Sequence, residues 1–288
     1  MIAGMSSVRL LGAADIRRLA ADLDVTPTKK LGQNFVVDAN TVRKIVHAAR
    51  VTGNDRVVEI GPGLGSLTLA ILDVGASVTA VEIDRRLAAR LARTAAERGV
   101  PDGALTVIEH DAMTVTELPG DPNVLVANLP YNISVPVLLH FMEMFPGLGR
   151  GVVMVQAEVG ERLAAGPGSK IYGAPSAKAA WYGSWRLAGT VSRQVFWPVP
   201  NVDSVLVGFE RADQPMGTEE DRRETFRIID LAFQQRRKML RQALARELGG
   251  SAAASELLEA AGVAPTARGE ELEVAAFLRI AHAVRAAR

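Results

Sequence analysis

The stretch VLVANLPYNIS, residues 124–134, runs from an apolar strand into a turn and sets Asn128, Leu129, Pro130 and Tyr131 side by side at the join. An amide, a proline and a phenol supply no good acid or base near neutral pH. Chemistry that uses them has to want an amide edge and an aromatic face, without a charge. A second stretch, VVEIGPGLGSLT, carries Gly61, Gly63 and Gly65 where a strand hands over to a helix, and glycines at such a turn let backbone approach a ligand closely. Its spacing is G-x-G-x-G with Glu59 just before the first glycine, whereas a nicotinamide site wants G-x-G-x-x-G, so a dehydrogenase ranks last. AVEIDR ends the next strand with Glu82, twenty-one residues beyond Gly61, where a carboxylate can accept both hydroxyl protons of a ribose. EHDAMT ends a third strand with Asp111, an acceptor suited to an exocyclic adenine amine. One such acid by itself reads as a solvated strand end. Acids at successive strand ends beside a glycine loop read as one site.

Those residues need a sheet to hold them. Apolar, β-rich runs recur at RVVEIG (56–61), SVTAVEI (77–83), LTVIEHD (105–111), NVLVAN (123–128) and GVVMVQ (151–156), and the first few are each followed by a stretch of helical period. That alternation predicts an α/β fold with a parallel sheet covered on both faces. After residue 160 the Gly/Pro-rich AAGPGSKIYGAPS reads as a loop, and SWRLAGTVS and SVLVGFER as two late strands. From TEEDRRETF onward the period is helical, with breaks at GGSAA and GVAPTARG. A chain of 288 residues accommodates one full-sized domain and a smaller one. The expected division is an N-terminal extension over 1–28, a sheet domain over 29–214 and a helical domain over 215–288. Whether the helix-like AADIRRLAADL of the extension is ordered without a partner stays open at this level.

Composition bounds the function. With no cysteine there is no disulfide scaffold and no thiolate zinc site, so a reducing compartment, the cytoplasm, is expected. His47, His110 and His140 form no metal spacing, and no metal is assigned. Charged residues interrupt the N-terminal stretch before a signal-peptide core can form, and no later apolar run approaches membrane-spanning length, which argues against secretion and insertion. The net charge of +1 neither demands nor excludes a polyanionic partner.

The pattern E-x-G-x-G-x-G, with an acid ending the second strand and an aspartate ending the third, resembles the class I S-adenosylmethionine-dependent methyltransferases. In that family the glycine loop meets the methionine end of the cofactor, the strand-two acid holds the ribose and the strand-three aspartate the adenine, so Asn128 would face the transferable methyl. The resemblance gives the uncharged turn a purpose. Adenine's exocyclic amine is a poor nucleophile because its lone pair is delocalised into the ring. If the Asn128 side-chain oxygen and a nearby carbonyl accept its protons, the nitrogen pyramidalises and aims that pair at the methyl, so catalysis is mostly orientation. Tyr131 would give the flipped-out base a face to stack on.

Further segments narrow the match. KKLGQNFVVD (29–38), EIGPGLGSLT, ANLPYNIS, PGSKIYG (167–173), VFWPVPNVDS (195–204), QQRRKMLRQAL (234–244) and RGEELEVAAFLRIA (268–281) strongly resemble the small-subunit ribosomal RNA adenine dimethyltransferases of the KsgA type, over nearly the whole chain from Lys29. The resemblance implies cofactor contacts from Asn34, Val36, Gly61, Gly63, Glu82, Asp111, Ala112 and Asn128, with Val36 in place of the usual leucine. It implies a catalytic turn of Asn128, Leu129, Pro130 and Tyr131, with Phe196 stacking on the target adenine opposite Tyr131. The implied reaction is four methyl transfers, two to each of two adjacent adenosines in a hairpin loop near the 3' end of 16S rRNA, during assembly of the small subunit and by a monomer.

A basic run agrees with an RNA partner. Arg236, Arg237, Lys238, Arg241 and Arg246 fall within eleven residues with no acid between them, and a helix through them would put Arg237 and Arg241 on one face. Lys29 and Lys30 are a second small cluster that could border the same groove. The rival readings are a large-subunit rRNA adenine methyltransferase of the macrolide-resistance kind, sharing fold and mechanism, and a ribosome-assembly factor that keeps the fold without catalysis. The leucine of NLPY and the VFWPVPNVDS and RRKMLRQAL segments favour the small-subunit family, and the intact cofactor set speaks against loss of catalysis.

Overall fold

The structure, a computed structural model, describes residues 8–25 and 34–287. The first half of the chain runs through α1 (Ala13–Asp22), β1 (Phe35–Val36), α2 (Ala39–Ala48), β2 (Arg56–Ile60), α3 (Ser66–Asp73), β3 (Ser77–Glu82), α4 (Arg85–Glu97), β4 (Leu105–Glu109) and β5 (Val124–Asn128). It continues through α5 (Ser134–Met144), β6 (Arg150–Gln156), α6 (Ala157–Leu163), α7 (Ala174–Ala180), β7 (Gly183–Val191), β8 (Phe196–Trp197) and β9 (Ser204–Arg211). The remainder is helical: α8 (Glu219–Gln234), α9 (Leu240–Ala243), α10 (Ser251–Ala260) and α11 (Val274–Ala286).

Seven strands form one sheet in the order β4-β3-β2-β5-β6-β9-β7. β2, β3, β5 and β6 are Val/Ile/Leu-rich, and β2 is buried along its whole length after Arg56, as expected of central parallel strands covered on both faces. β2 lies between β3 and β5, parallel to both, with Val57 opposite Val78 on one side and Val124 on the other. The chain therefore winds outward through β3 and β4 and then crosses back to start again at β5. That reversal leaves a crevice outside the carboxyl ends of β2 and β5, the place where open α/β sheets bind ligands. β9 closes onto β6 antiparallel, pairing Leu206 with Met154.

The described chain divides into two compact units, one of residues 1–160 with 186–210 and one of 161–185 with 211–288. Two features depart from the division expected at 28/29 and 214/215. Residues 8–25 are built into the first unit: Ile16, Leu19 and Ala20 of α1 are buried with Leu64, Leu69, Leu87 and Ala95. Polar ties hold the same segment, since Val8 N–H donates to Asp73 and Asp15 pairs with Arg98 at 2.7 Å. An amphipathic helix with a buried stripe needs no partner to be ordered. The other departure is the KIYG loop and α7, which belong with the helical unit. There the Tyr172 hydroxyl donates to the Leu272 carbonyl at 2.8 Å, and Trp181 and Tyr182 set their edges on Phe226. Large rings go where partner rings are, and α8 supplies them.

Candidate active site

A cavity opens at the carboxyl ends of β2, β3 and β5, lined by the glycine loop, Glu82, Asp111, Ala112 and Asn128, with Asn34 and Val36. The glycine loop is held by conformation and by crowding. Gly61, Gly63 and Gly65 all have positive φ, at 65°, 59° and 93°, a region costly for a residue with a Cβ. A Cβ on Gly63 would also stand 2.8 Å from the Phe35 ring, so the β1 segment can close over the loop only if that position is bare.

Glu82 ends β3 and is 5% exposed. Its Oε2 accepts from Gly63 N–H at 3.0 Å and its Oε1 from Asp84 N–H at 3.0 Å, so it braces the glycine loop and the start of α4 together. Burial pushes its carboxyl above the usual range, with those two backbone donors partly offsetting the effect. Asp111 follows β4, and its Oδ1 accepts from Met113 N–H at 2.8 Å in a tight Asx-type turn. Deeper lies Glu59 of β2, 1% exposed, whose Oε2 has no hydrogen-bond partner among the described residues. Desolvation pushes Glu59 up to about 8, the nearby Thr68 hydroxyl offsets part of this, and the Glu82 charge adds to it.

Asn128 ends β5. Its Nδ2 donates to the backbone carbonyl of Asn34 at 3.0 Å. A carbonyl oxygen can only accept, so the amide nitrogen must be the atom facing it, and the orientation of the amide follows from chemistry. Oδ1 is then the end left to receive a proton from a substrate. The β1 segment that supplies this carbonyl is itself fixed: Ser66 Oγ donates to the Val36 carbonyl at 2.7 Å, and Val37 N–H donates to the Val195 carbonyl at 2.8 Å.

The rest of the NLPY turn has divided roles. Pro130 lines the cavity, whereas Leu129 is 1% exposed and packs inward. Tyr131 is half-buried outside the cavity wall, its hydroxyl 2.8 Å from Ser204 Oγ, and burial pushes its phenol above the usual range. Phe196, expected from the resemblance to stack on the target adenine opposite Tyr131, is a core side chain in this structure. It is 2% exposed and packs with Val36, Val191 and Leu206. The cause is strand alternation: β1 and β8 pair antiparallel with Val36 opposite Phe196 and Phe35 opposite Trp197. Directly opposed residues share a face, so Val36 and Phe196 enter the core together, while Phe35 and Trp197 stack on the other face with centroids 6.4 Å apart.

The basic run is also arranged differently from a continuous helix. α8 ends at Gln234, residues 235–238 form a turn, and α9 begins at Leu240, so helical spacing does not relate Arg237 to Arg241. The break is tertiary in origin: Leu240 and Arg241 N–H groups donate to the carbonyls of Ala267 and Pro265. Arg236 is drawn into the unit by Glu270 at 2.8 Å and by the Lys170 carbonyl. Arg237 and Lys238 are exposed, and Arg241 is half-buried. Lys29 and Lys30 lie outside the described residues. Sequence reasoning assigned no role to Glu59 or to Ile83, which lines the cavity at 63% exposure. For Glu59 the signal was there, a lone acid in the apolar run RVVEIG.

Comparison with known proteins identifies the family. The family model described as ribosomal RNA adenine dimethylase matches residues 26–285. A ribosomal RNA small subunit methyltransferase A from Leifsonia xyli subsp. xyli is 64% identical over 279 residues, covering 96% of this chain and 99% of the relative. Another of that name from Streptomyces coelicolor is 58% identical, covering 94% and 96%. Among solved structures, a dimethyladenosine transferase from Plasmodium falciparum superposes with a TM-score of 0.73 at 25% identity, over 84% of this chain and 94% of that one. With a matching family model over most of its length and relatives this similar, the chain belongs to the ribosomal RNA adenine dimethylase family.

Proposed function

We propose that the protein transfers methyl groups from S-adenosylmethionine to the N6 atoms of two adjacent adenosines in a hairpin loop near the 3' end of 16S rRNA, giving dimethyladenosines during assembly of the small subunit. The observation that carries this reading is the fixed Asn128 amide beside a cavity whose walls bear acids at successive strand ends. The walls suit a donor that is a nucleoside and a cation. Glu82 and Asp111 offer carboxylate acceptors to hydroxyl and amine donors, and no Lys or Arg lines the cavity among the described residues. The relatives named above act on the small subunit, which favours that substrate over the large-subunit alternative.

When bound, S-adenosylmethionine supplies a methyl group made electrophilic by its sulfonium. The protein has to make the adenine amine a nucleophile. Asn128 Oδ1 accepts one N6 proton, its own orientation held by the Asn34 carbonyl, and a carbonyl of the following turn can accept the other. The lone pair is then directed at the methyl, and the cationic product amine is acidic enough to lose its proton to water. No strong base is required, which matches a turn that contains none. Tyr131, tethered through its hydroxyl to Ser204, is the aromatic group of the turn and is proposed to stack on the extruded base. We place the reaction in the cytoplasm, on an assembling particle, with the protein acting as a monomer.

The test is methyl transfer to small subunits from cells lacking this protein, with primer extension to map the modified bases. Two adjacent dimethyladenosines near the 3' end are expected. Modification of large-subunit RNA instead would overturn the substrate assignment.

A further inference from the structure

Ser204 is fully buried at the start of β9, and its hydroxyl oxygen stands 2.8 Å from that of Tyr131. Topology brings the two together. β9 runs antiparallel to β6 with Ser204 opposite Gln156, the last residue of that strand, so the amino end of β9 reaches the carboxyl edge of the sheet, where the NLPY turn begins. Backbone bonds fasten the segments on either side of the contact. Leu129 N–H donates to the Met154 carbonyl at 3.1 Å, and Ala157 N–H donates to the Asp203 carbonyl at 3.0 Å. The ring of Tyr131 is thus pinned at its far end to a strand, while its backbone hangs from another. Burial holds the phenol above its usual range, the Ser204 hydrogen bond offsets part of this, and the Asp203 charge adds to it. Near neutral pH the phenol stays protonated, so its hydroxyl works as a tether and not as a base.

We propose that Ser204 is a positioning residue that sets the Tyr131 ring against the target base, and that the second methyl transfer to each adenosine depends on it more than the first. The inference rests on the proposed function, in which Tyr131 stacks on the extruded base. Ser204 itself touches neither the base nor the donor; it acts through the ring.

The asymmetry between the two transfers comes from counting protons. Each transfer forms an N–C bond at the expense of the donor's S–C bond and sends one N6 proton to water. Unmodified adenine has two N6 protons, enough for both Asn128 Oδ1 and the turn carbonyl. The monomethylated base has one, so one of those two acceptors loses its donor and the hydrogen-bonded hold on the amine is halved. The π-face of the base is unchanged by methylation, and stacking on Tyr131 then carries a larger share of the hold on the base. A ring that is free to swing costs most at that second step.

The experiment is a time course of methylation of small subunits from cells lacking this protein, with the monomethyladenosine and dimethyladenosine of the digested RNA quantified by mass spectrometry. Ser204→Ala and Tyr131→Phe each remove the tether and keep the rest of the side-chain framework. Both should slow the second transfer about fivefold, the factor to which the net worth of one hydrogen bond converts, and the first transfer less, so that monomethyladenosine accumulates. The double variant should be no worse than either single one, because the two hydroxyls act as a unit. Calorimetry should show S-adenosylmethionine affinity unchanged in all three. Should Ser204→Ala fail a thermal melt, Tyr131→Phe decides alone, since it empties no space in the core. Equal slowing of both transfers, a wild-type ratio of the two products in Tyr131→Phe, or defects that multiply in the double variant overturns the inference while leaving the proposed function intact. Failure of the wild-type protein to methylate the subunits overturns the proposed function and this inference with it.

Discussion

Asn128 shows how little chemistry a single residue needs when its neighbours fix it. Because the Asn34 carbonyl occupies its amide nitrogen, the acceptor end is left for the proposed substrate, and on that proposal replacing the side chain removes orientation rather than charge. Asn128→Ala is expected to lower turnover on the order of a hundredfold with the fold preserved, measured by methylation of undermethylated subunits alongside a thermal melt. Asn128→Asp is the harsher change, since it sets a carboxylate oxygen against that carbonyl at hydrogen-bond distance and leaves neither a donor. Wild-type rates in both variants would refute the mechanism. Glu82 braces Gly63 and Asp84 through two backbone hydrogen bonds, and the proposed function adds a second task, accepting from the ribose of the donor. Glu82→Ala should weaken S-adenosylmethionine binding by about 1.5–3 kcal/mol, the range for hydrogen bonds to charged groups, while RNA affinity is kept. Unaltered affinity in calorimetry would reject its assignment. These residues were legible in the sequence because each ends a strand whose apolar run is visible, and strand ends gather at one edge. Phe196 was not, because its direction depends on the register of a two-residue strand against Phe35–Val36, which no local pattern records.

At the scale of elements, the parallel core could be read from sequence because buried parallel strands are continuous apolar runs, as VLVAN and GVVMVQ are. Segments fixed by distant partners could not. Helix α8 stops at Gln234 although basic helix formers follow, and beyond the turn the N–H groups of Leu240 and Arg241 donate to the distant carbonyls of Ala267 and Pro265. Helix α1 had the right period, yet only its burial against Leu64 and Leu87 shows that it supports the glycine loop and α4. That support can be measured. Ile16 is fully buried, and Ile16→Ala should destabilise the protein by about 2–5 kcal/mol, the usual cost of emptying such a site. Unfolding monitored in denaturant checks it, and a loss below about 1 kcal/mol would mean that α1 is peripheral.

On the proposed function, the two compact units would carry separate tasks. All residues lining the cofactor cavity belong to the first, and the exposed cations Arg237 and Lys238 with Arg241 belong to the second. The second unit also takes residues 161–185, which sequence placed with the sheet because two late strands, SWRLAGTVS and SVLVGFER, follow the Gly/Pro-rich loop. If the second unit grips RNA through phosphates, its contribution is separable from donor binding, and salt is the way to see it. Each phosphate contact releases about one counterion, so reversing Arg237 and Arg241 to Glu should weaken binding to assembling subunits and flatten the logarithmic salt dependence by about two units. The turn geometry refines the expectation: exposed Arg237 should contribute more than half-buried Arg241, and Arg236, neutralised by Glu270, should matter mainly to stability. Filter binding across a salt series, with calorimetry of S-adenosylmethionine on the same variants, measures both functions. An unchanged salt slope would make the 236–241 segment an ordinary solvated surface and move the search for phosphate contacts to Lys29, Lys30 and Lys170.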